Sequence, residues 1–119
     1  DMLLSGGGKL FSRSVLDMAS RNYTAGMGQA RGLGFLVVDE NYRQTGTLFP
    51  AGSIGHCGHT GVSLFLNRES GLYAIILSDA TISTVRKYGK ENYGEVMQMW
   101  EKLHHAIRND LWNQGWKSC

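Results

Sequence analysis

The residues with the clearest chemical potential lie in two adjoining triplets, His56-Cys57-Gly58 and His59-Thr60-Gly61. An imidazole can hold a carboxylate or transfer a proton near neutral pH, and a thiol becomes a nucleophile once it is ionised. A glycine between polar residues lets another molecule approach the backbone closely, which is the geometry that a substrate-lined strand needs. The segment therefore indicates a candidate site in which main-chain groups matter as much as side chains.

The same residues give little support to metal or thiol chemistry. His56, Cys57 and His59 occupy neighbouring positions, which face opposite sides of a strand, and no second ligand pair follows at a usual zinc spacing. A Cys57 nucleophile would need an orienting Asn or Asp, and none is evident. The run Gly6-Gly7-Gly8-Lys9 is no phosphate loop, because Leu10 stands where Ser or Thr is required. We therefore expect no metal and no organic cofactor.

Together with their surroundings, the two triplets resemble the third conserved box of the serine β-lactamase and penicillin-binding-protein superfamily, in particular its class-C-like esterases. In those proteins a Lys-Thr-Gly or His-Thr-Gly triplet lies on the strand beside the nucleophile, and an aromatic-Thr-Gly triplet follows it. Residues 3–7 resemble the end of a family helix, and residues 31–35 resemble the strand that opens the family's C-terminal half. The resemblance covers most of residues 1–80 and implies hydrolysis of an ester, amide or β-lactam through an acyl-serine.

The resemblance also implies a role for each residue of the two triplets. His56 would face the cleft, where it would hold a substrate carboxylate or tune the protons of a lysine and a tyrosine. The backbone N–H of His59 would be the second donor of the oxyanion hole, which stabilises the intermediate by about 3 to 4 kcal/mol in other acyl-transfer enzymes. Cys57, Gly58 and Thr60 would line the substrate, while the Cys57 side chain points to the other face of the strand and packs.

This chain departs from the family pattern at several positions. Cys57 replaces a Thr or Ser hydroxyl, His59 replaces an aromatic residue, and Asn67-Arg68-Glu69 replaces an Asp-Pro-Glu turn. The first change favours an esterase-like or divergent hydrolase over a β-lactamase.

The family's nucleophile is absent from the sequence. No Ser-x-x-Lys box occurs in the 119 residues, and Tyr93-Gly94-Glu95 does not supply the second proton carrier. We therefore expect a single domain over residues 1–119 that forms the C-terminal portion of a larger hydrolase, with a frayed tail at 114–119, and that is inactive alone. Its expected partners are a missing N-terminal half carrying the nucleophile, a small-molecule substrate, or a second copy paired through an exposed sheet edge.

Composition excludes several classes of partner. The net charge of +2 arises from 12 basic and 10 acidic residues without runs, so we expect neither nucleic acid nor an anionic membrane to bind. Hydrophobic residues make up 42% of the chain, which is enough for a core. Cys57 and Cys119 could form at most one bridge, and free thiols are the expected state. No feature of the sequence indicates a compartment.

The apolar pattern predicts an α+β fold, with an antiparallel sheet and a long C-terminal helix packed on one face. The resemblance implies that this domain is part of a β-lactamase/transpeptidase-like fold. A short helix should follow Ser12 and end near Asn22. Strands are predicted over 34–38 and, as an edge arm, over 42–50.

Residues 62–67 and 72–78 are predicted to form a hairpin. Because the second of these strands is apolar on both faces, it should lie inside a sheet that is covered on both sides.

The C-terminal helix is predicted from apolar residues that recur every three or four positions and end at Leu111. His104 and His105 lie 100° apart on this helix, so we expect one half-buried and one surface histidine.

A binding module is the alternative from another class. Residues 31–35, Arg-Gly-Leu-Gly-Phe, also resemble the carboxylate-binding loop of a PDZ domain. That interpretation leaves the two His/Gly triplets unexplained. A non-catalytic oligomeric homologue is the remaining alternative.

Overall fold

A computed structural model describes residues 2–116, which form a four-stranded antiparallel sheet and three helices. In chain order the elements are α1 (Arg13–Ala19), β1 (Leu36–Val37), β2 (Ile54–Cys57), β3 (Ser63–Leu66), β4 (Tyr73–Ile76), α2 (Ala80–Tyr88) and α3 (Tyr93–Asn113). The predicted α+β class, with its antiparallel sheet and long C-terminal helix, is confirmed. The predictions for Cys119 and for the last three tail residues lie outside the described residues.

The sheet runs in the order β1-β2-β3-β4, so each strand pairs with its neighbour in sequence. Gly55 lies opposite Leu36 on one side and Phe65 on the other, and Phe65 lies opposite Ala74. Since strand residues alternate between faces, this register assigns every side chain to one of two sides. The covered face carries Leu36, Phe65 and Ala74, and the outer face carries Ile54, His56, Leu64, Leu66, Tyr73 and Ile75.

Helix α3 packs on the covered face, as its apolar stripe predicts. Val96, Trp100 and His104 are buried along α3, and Ile107 and Leu111 pack against the cluster that contains Phe65. Asn92 begins the helix by accepting the Glu95 N–H through its side chain. His104 is more deeply placed than the sequence predicts, because its ring is fully buried between Phe49 and Phe65.

The first helix starts as predicted and ends early. The Ser12 hydroxyl accepts the Val15 N–H, which is the N-cap arrangement expected for that residue. The helix closes at Ala19, three residues before the predicted end at Asn22, and Leu33 N–H then donates to the Ala19 carbonyl. A segment distant in sequence therefore supplies the hydrogen bond that ends this helix.

Residues 42–50 form turns, so the prediction of an edge strand there is wrong. The alternation of Thr45, Thr47 and Phe49 suggested a half-buried strand, yet the neighbours Leu48 and Phe49 are both buried. Consecutive burial is incompatible with a strand that has one solvent face. The segment instead folds as an irregular cover that inserts apolar side chains into the core on the covered face.

The hairpin of β3 and β4 is confirmed, but β4 does not lie inside the sheet. It is the outer strand, and Tyr73 and Ile75 on its outer face are 57% and 56% exposed. Leu64, which lies opposite Ile75, is 38% exposed. We call Leu64, Tyr73 and Ile75 the outer apolar patch. On the outer face Ile54 and Leu66 are buried in a second cluster with Ala30 and Val37, so the outer apolar patch is the part of that face that this cluster leaves exposed.

Candidate functional site

The two His/Gly triplets form the end of β2 and the turn that leads to β3. We call residues 56–61 the rim. The Gly58 N–H donates to the Val62 carbonyl at 2.8 Å, and the Gly61 N–H closes the turn on the Gly58 carbonyl at 3.1 Å. The structure therefore brings all five predicted site residues, His56 to Thr60, onto one continuous stretch of ordered backbone.

The carbonyl groups of the rim are held by α2 and α3. Thr81 donates its hydroxyl to the His59 carbonyl and its N–H to the Thr60 carbonyl. The Gly61 carbonyl accepts the Ser78 hydroxyl at 2.7 Å and the indole N–H of Trp100 at 2.9 Å. Because Trp100 is fully buried in α3, it fixes the turn to the core. The acceptors of the turn are thus satisfied from one side.

Some main-chain donors of the rim have no acceptor within residues 2–116, unlike the N–H groups of Gly58 and Gly61. Because Gly58 bonds toward β3, the alternation of an antiparallel ladder turns the Cys57 N–H toward the opposite edge. Strand β1 covers that edge only at Ile54 and Gly55. Within residues 2–116 the N–H groups of His59 and Thr60 in the turn have no acceptor. An ordered backbone with unused donors on one flank can bind an oxyanion or a peptide-like carbonyl.

His56 lies exposed on the outer face, directly opposite Leu64. Its Nδ1 is 2.8 Å from the Cys57 carbonyl. Since a carbonyl only accepts, Nδ1 carries the proton and Nε2 of the neutral ring keeps its lone pair. The side chain can therefore take a proton at Nε2, or bind a carboxylate when it is charged. His56 is thus exposed on one face of β2, and its role at a cleft stays a prediction.

His59 has a partner that the sequence does not indicate. Its Nε2 lies 3.0 Å from Glu91 Oε1, in the loop between α2 and α3. Both side chains are more than half exposed, so their attraction is screened by solvent and contributes little to stability. The contact links the turn to the loop that precedes α3.

The side chain of Cys57 lies on the covered face, as the period-two pattern predicts. Its sulfur is 3.6 Å from the Tyr42 hydroxyl and packs against the core. Burial raises the pKa of the Cys57 thiol, although the Tyr42 hydrogen bond opposes that effect. Burial likewise raises the pKa of Tyr42. Both groups are neutral at physiological pH, so Cys57 can contact a substrate on the His56 flank only through its backbone.

The glycines of the two triplets serve internal packing rather than the approach of another molecule, which differs from the sequence expectation. A Cβ on Gly58 would lie 2.5 Å from Val62 Cγ2. A Cβ on Gly61, where φ is +108°, would lie 2.6 Å from Ser78 Oγ. These glycines allow the turn to fold tightly against its own neighbours. The exposed donors, and not the glycines, are what remains for a ligand.

The structure also shows what the described residues lack at this site. The rim lies outside the clefts that are lined by Arg13, by Tyr42 and by Tyr73, and its residues His56, His59 and Thr60 are exposed. Within residues 2–116 no three metal-ligating side chains cluster. None of the helices in that range has the length and apolar character needed to cross a bilayer.

Comparison of the chain with models of protein families, with curated proteins and with solved structures finds no match.

Proposed function

We propose that this chain is the C-terminal portion of a β-lactamase-like serine hydrolase and that the rim forms one wall of its active site. The single observation that carries the proposal is the tethered turn of residues 58–61. Its carbonyls are bonded by α2 and α3, while the His59 and Thr60 N–H groups face no acceptor in the described residues. Such an arrangement is pre-organised to stabilise a developing oxyanion, because it needs no rearrangement when charge appears.

In the proposed reaction, a serine hydroxyl from polypeptide N-terminal to this chain attacks an ester, amide or lactam carbonyl. The carbonyl oxygen becomes an oxyanion that accepts the His59 N–H, and the leaving group departs with a proton as the acyl-serine forms. Water then releases the acid and regenerates the serine. His56 Nε2, which is free and exposed, would bind a substrate carboxylate or relay a proton beside the nucleophile.

The position of the missing half follows from the outer apolar patch. His56, Leu64 and Ile75 lie side by side across three strands on the outer face. A protein segment that covers Leu64 and Ile75 therefore lies close to His56. Exposed apolar area of this kind marks a contact surface. The proposal assigns this face to the half that carries the nucleophile, so the same contact completes both the core and the site.

The proposal is tested by labelling with a fluorophosphonate probe, which reacts with activated serines. The coding sequence upstream of Asp1 is read for a Ser-x-x-Lys box, and the extended protein and the 119-residue chain are both treated with the probe. We expect the extended protein to be labelled at the serine of that box and the chain alone to stay unlabelled. No such box and no labelling, or labelling of a serine within residues 1–119, would overturn the proposal.

A second candidate, a non-catalytic oligomer, is favoured by the free edge of β4. This strand, Tyr73–Ile76, is the last of the sheet, and it contains neither a charged residue nor proline. Charges and prolines are the usual means of blocking edge pairing. A second copy could add its own β4 in antiparallel register and continue the sheet. Sedimentation equilibrium separates the two candidates, since the extended hydrolase should be monomeric at concentrations where the oligomer is not.

The PDZ-like alternative gains no support from the geometry of residues 31–35. The Gly32 N–H donates to the Phe35 carbonyl and the Leu33 N–H to the Ala19 carbonyl. Two of the amides that would capture a chain terminus are therefore already bonded within the chain.

A further inference from the structure

A polar cleft of about 620 Å3 lies at the end of the β2–β3 pair opposite the rim. Four segments meet there: the N-terminal turns, α1, the approach to β2, and the turn between β3 and β4. The groups that the following argument uses are Arg13, Asp17, Gly52, Arg68 and Glu69. The volume falls in the range typical of small-molecule sites. The triplets and their proposed chemistry play no part in this cleft.

The charges of the cleft balance and are only partly paired. Arg68 Nη1 contacts Asp17 Oδ1 at 2.8 Å, and the Arg68 side chain is only 19% exposed. One of its five N–H donors is accounted for by that contact. Within residues 2–116 no ion pair is recorded for Arg13 or Glu69. One further cation and one further anion therefore line the cleft without a partner.

The turn that carries Arg68 and Glu69 is held rigid by its neighbour Asn67. The side-chain oxygen Oδ1 of Asn67 accepts the backbone N–H of Ser70 at 2.8 Å and the Ser70 hydroxyl at 2.9 Å. The amide nitrogen of Asn67 donates to Ser53 Oγ at 3.1 Å, and both side chains are buried. Because the turn is fixed before any ligand arrives, binding there would cost little ordering of the protein.

We propose that this cleft binds a small zwitterion, an α-amino acid or a short peptide with free termini. Its carboxylate would accept from the guanidinium groups of Arg13 and Arg68, which match a carboxylate in geometry. Its ammonium would donate to Glu69 and Asp17. A phosphate or another polyanion fits less well, because Glu69 and Asp17 would repel it. A simple cation would be repelled in the same way by Arg13 and Arg68.

The test is a titration of the 15N-labelled chain followed by its amide NMR signals. The probes are L-alanine, trialanine, and trialanine blocked by acetylation and amidation. We expect alanine or trialanine to shift the Gly52 and Glu69 signals in a saturable way, and which of them binds more tightly identifies the source of the zwitterion. The blocked peptide should leave those signals unmoved.

Two variants probe the unpaired charges. Arg13→Gln and Glu69→Gln alter exposed residues, so the fold should persist, and each should weaken binding by about tenfold through loss of one charge-assisted hydrogen bond. Arg86→Gln on α2 removes an exposed charge elsewhere and should leave the affinity unchanged. The proposal is overturned if neither free zwitterion shifts the cleft signals, if acetate or inorganic phosphate binds equally well, or if the Arg86 variant matches the other two.

Discussion

Acidification should destabilise the fold through His104, and the structure sets the size of the effect. His104 is fully buried, and its Nδ1–H donates to the carbonyls of Trp100 at 2.8 Å and Gln44 at 3.0 Å. Its Nε2 is buried and has no hydrogen-bond partner within residues 2–116, and the ring packs edge to face with Phe49 and Phe65. A proton at Nε2 would place a charged donor where nothing accepts it, so burial lowers the pKa of His104.

Proton linkage gives the direction and the maximum size of the change in the free energy of unfolding with pH. The unfolded chain binds a proton at His104 near pH 6.5, whereas the folded chain resists it, so the free energy of unfolding falls as the pH drops. If the folded ring stays neutral, the loss between pH 7.5 and 5.5 is about 1.4 kcal/mol, because one unit of pKa corresponds to about 1.36 kcal/mol. The free energy of unfolding is therefore unaffected by protonation of His104 well above pH 6.5, and it falls progressively as the pH drops below that value.

The assay is urea unfolding at several pH values, followed by tryptophan fluorescence and far-ultraviolet circular dichroism. His104→Phe keeps an aromatic ring in the site and should flatten the dependence between pH 7.5 and 5.5. His105→Gln is the matched control, since His105 is half-exposed on the same helix, and its pH dependence should equal that of the unaltered chain. A slope that survives in His104→Phe, or that is missing from the unaltered chain, would refute this account of His104.

Three further substitutions test the rim and the outer apolar patch. Gly61→Ala should lower the free energy of unfolding in urea by more than Gly71→Ala does. Both glycines have positive φ, but only at Gly61 would an added Cβ meet a neighbour within 4 Å. Equal losses would contradict the close approach at Gly61. Trp100→Phe should lower the free energy of unfolding by about 1 to 3 kcal/mol, because it removes the donor to the Gly61 carbonyl and leaves a small cavity. It should also speed amide hydrogen exchange in the turn. Unchanged exchange there would show that Trp100 does not hold the rim. Ile75→Lys should abolish self-association of the 119-residue chain in sedimentation and reduce the binding of a dye to exposed apolar surface. Ile82→Lys on α2 should do neither. Equal effects of the two substitutions would show that the outer apolar patch is not part of the interface.

Local patterns were sufficient to predict part of the fold. The hairpin of β3 and β4 has a polar turn between apolar runs, and α3 has an apolar stripe with a side-chain cap at Asn92, so both are encoded within a few residues. Helix α2 carries no such signal. Its sequence, Ala80–Tyr88, contains several Thr, Ile and Val residues, which favour strands, and its fold depends on Thr81 and Thr84 being buried against neighbouring segments. The indication of this helix lies at its end, where Gly89 with φ of +71° follows Arg86 and Lys87, a pattern typical of helix C-termini.

The faces of the strand that carry His56 and Cys57 could be predicted, but the contacts that support the turn could not. The period-two rule placed His56 and Cys57 on opposite faces correctly, because it depends on strand geometry alone. The tether from Thr81 to the His59 carbonyl spans 22 residues, and the contact of Trp100 with Gly61 spans 39. Contacts between such distant positions leave no periodic trace in a single sequence. The role of the glycines was misjudged because the turn brings Val62 against Gly58, and packing brings Ser78 against Gly61, only when the chain is folded.

The central claim is that the rim supplies the oxyanion donor of a serine hydrolase whose nucleophile lies in preceding polypeptide. The most direct measurement is a crystal structure of the upstream-extended protein carrying the fluorophosphonate adduct on its serine. The account predicts that the phosphonyl oxygen lies about 2.7 to 3.1 Å from the His59 backbone nitrogen. An adduct oxygen bound by other donors, with the His59 N–H outside hydrogen-bonding distance, would contradict it.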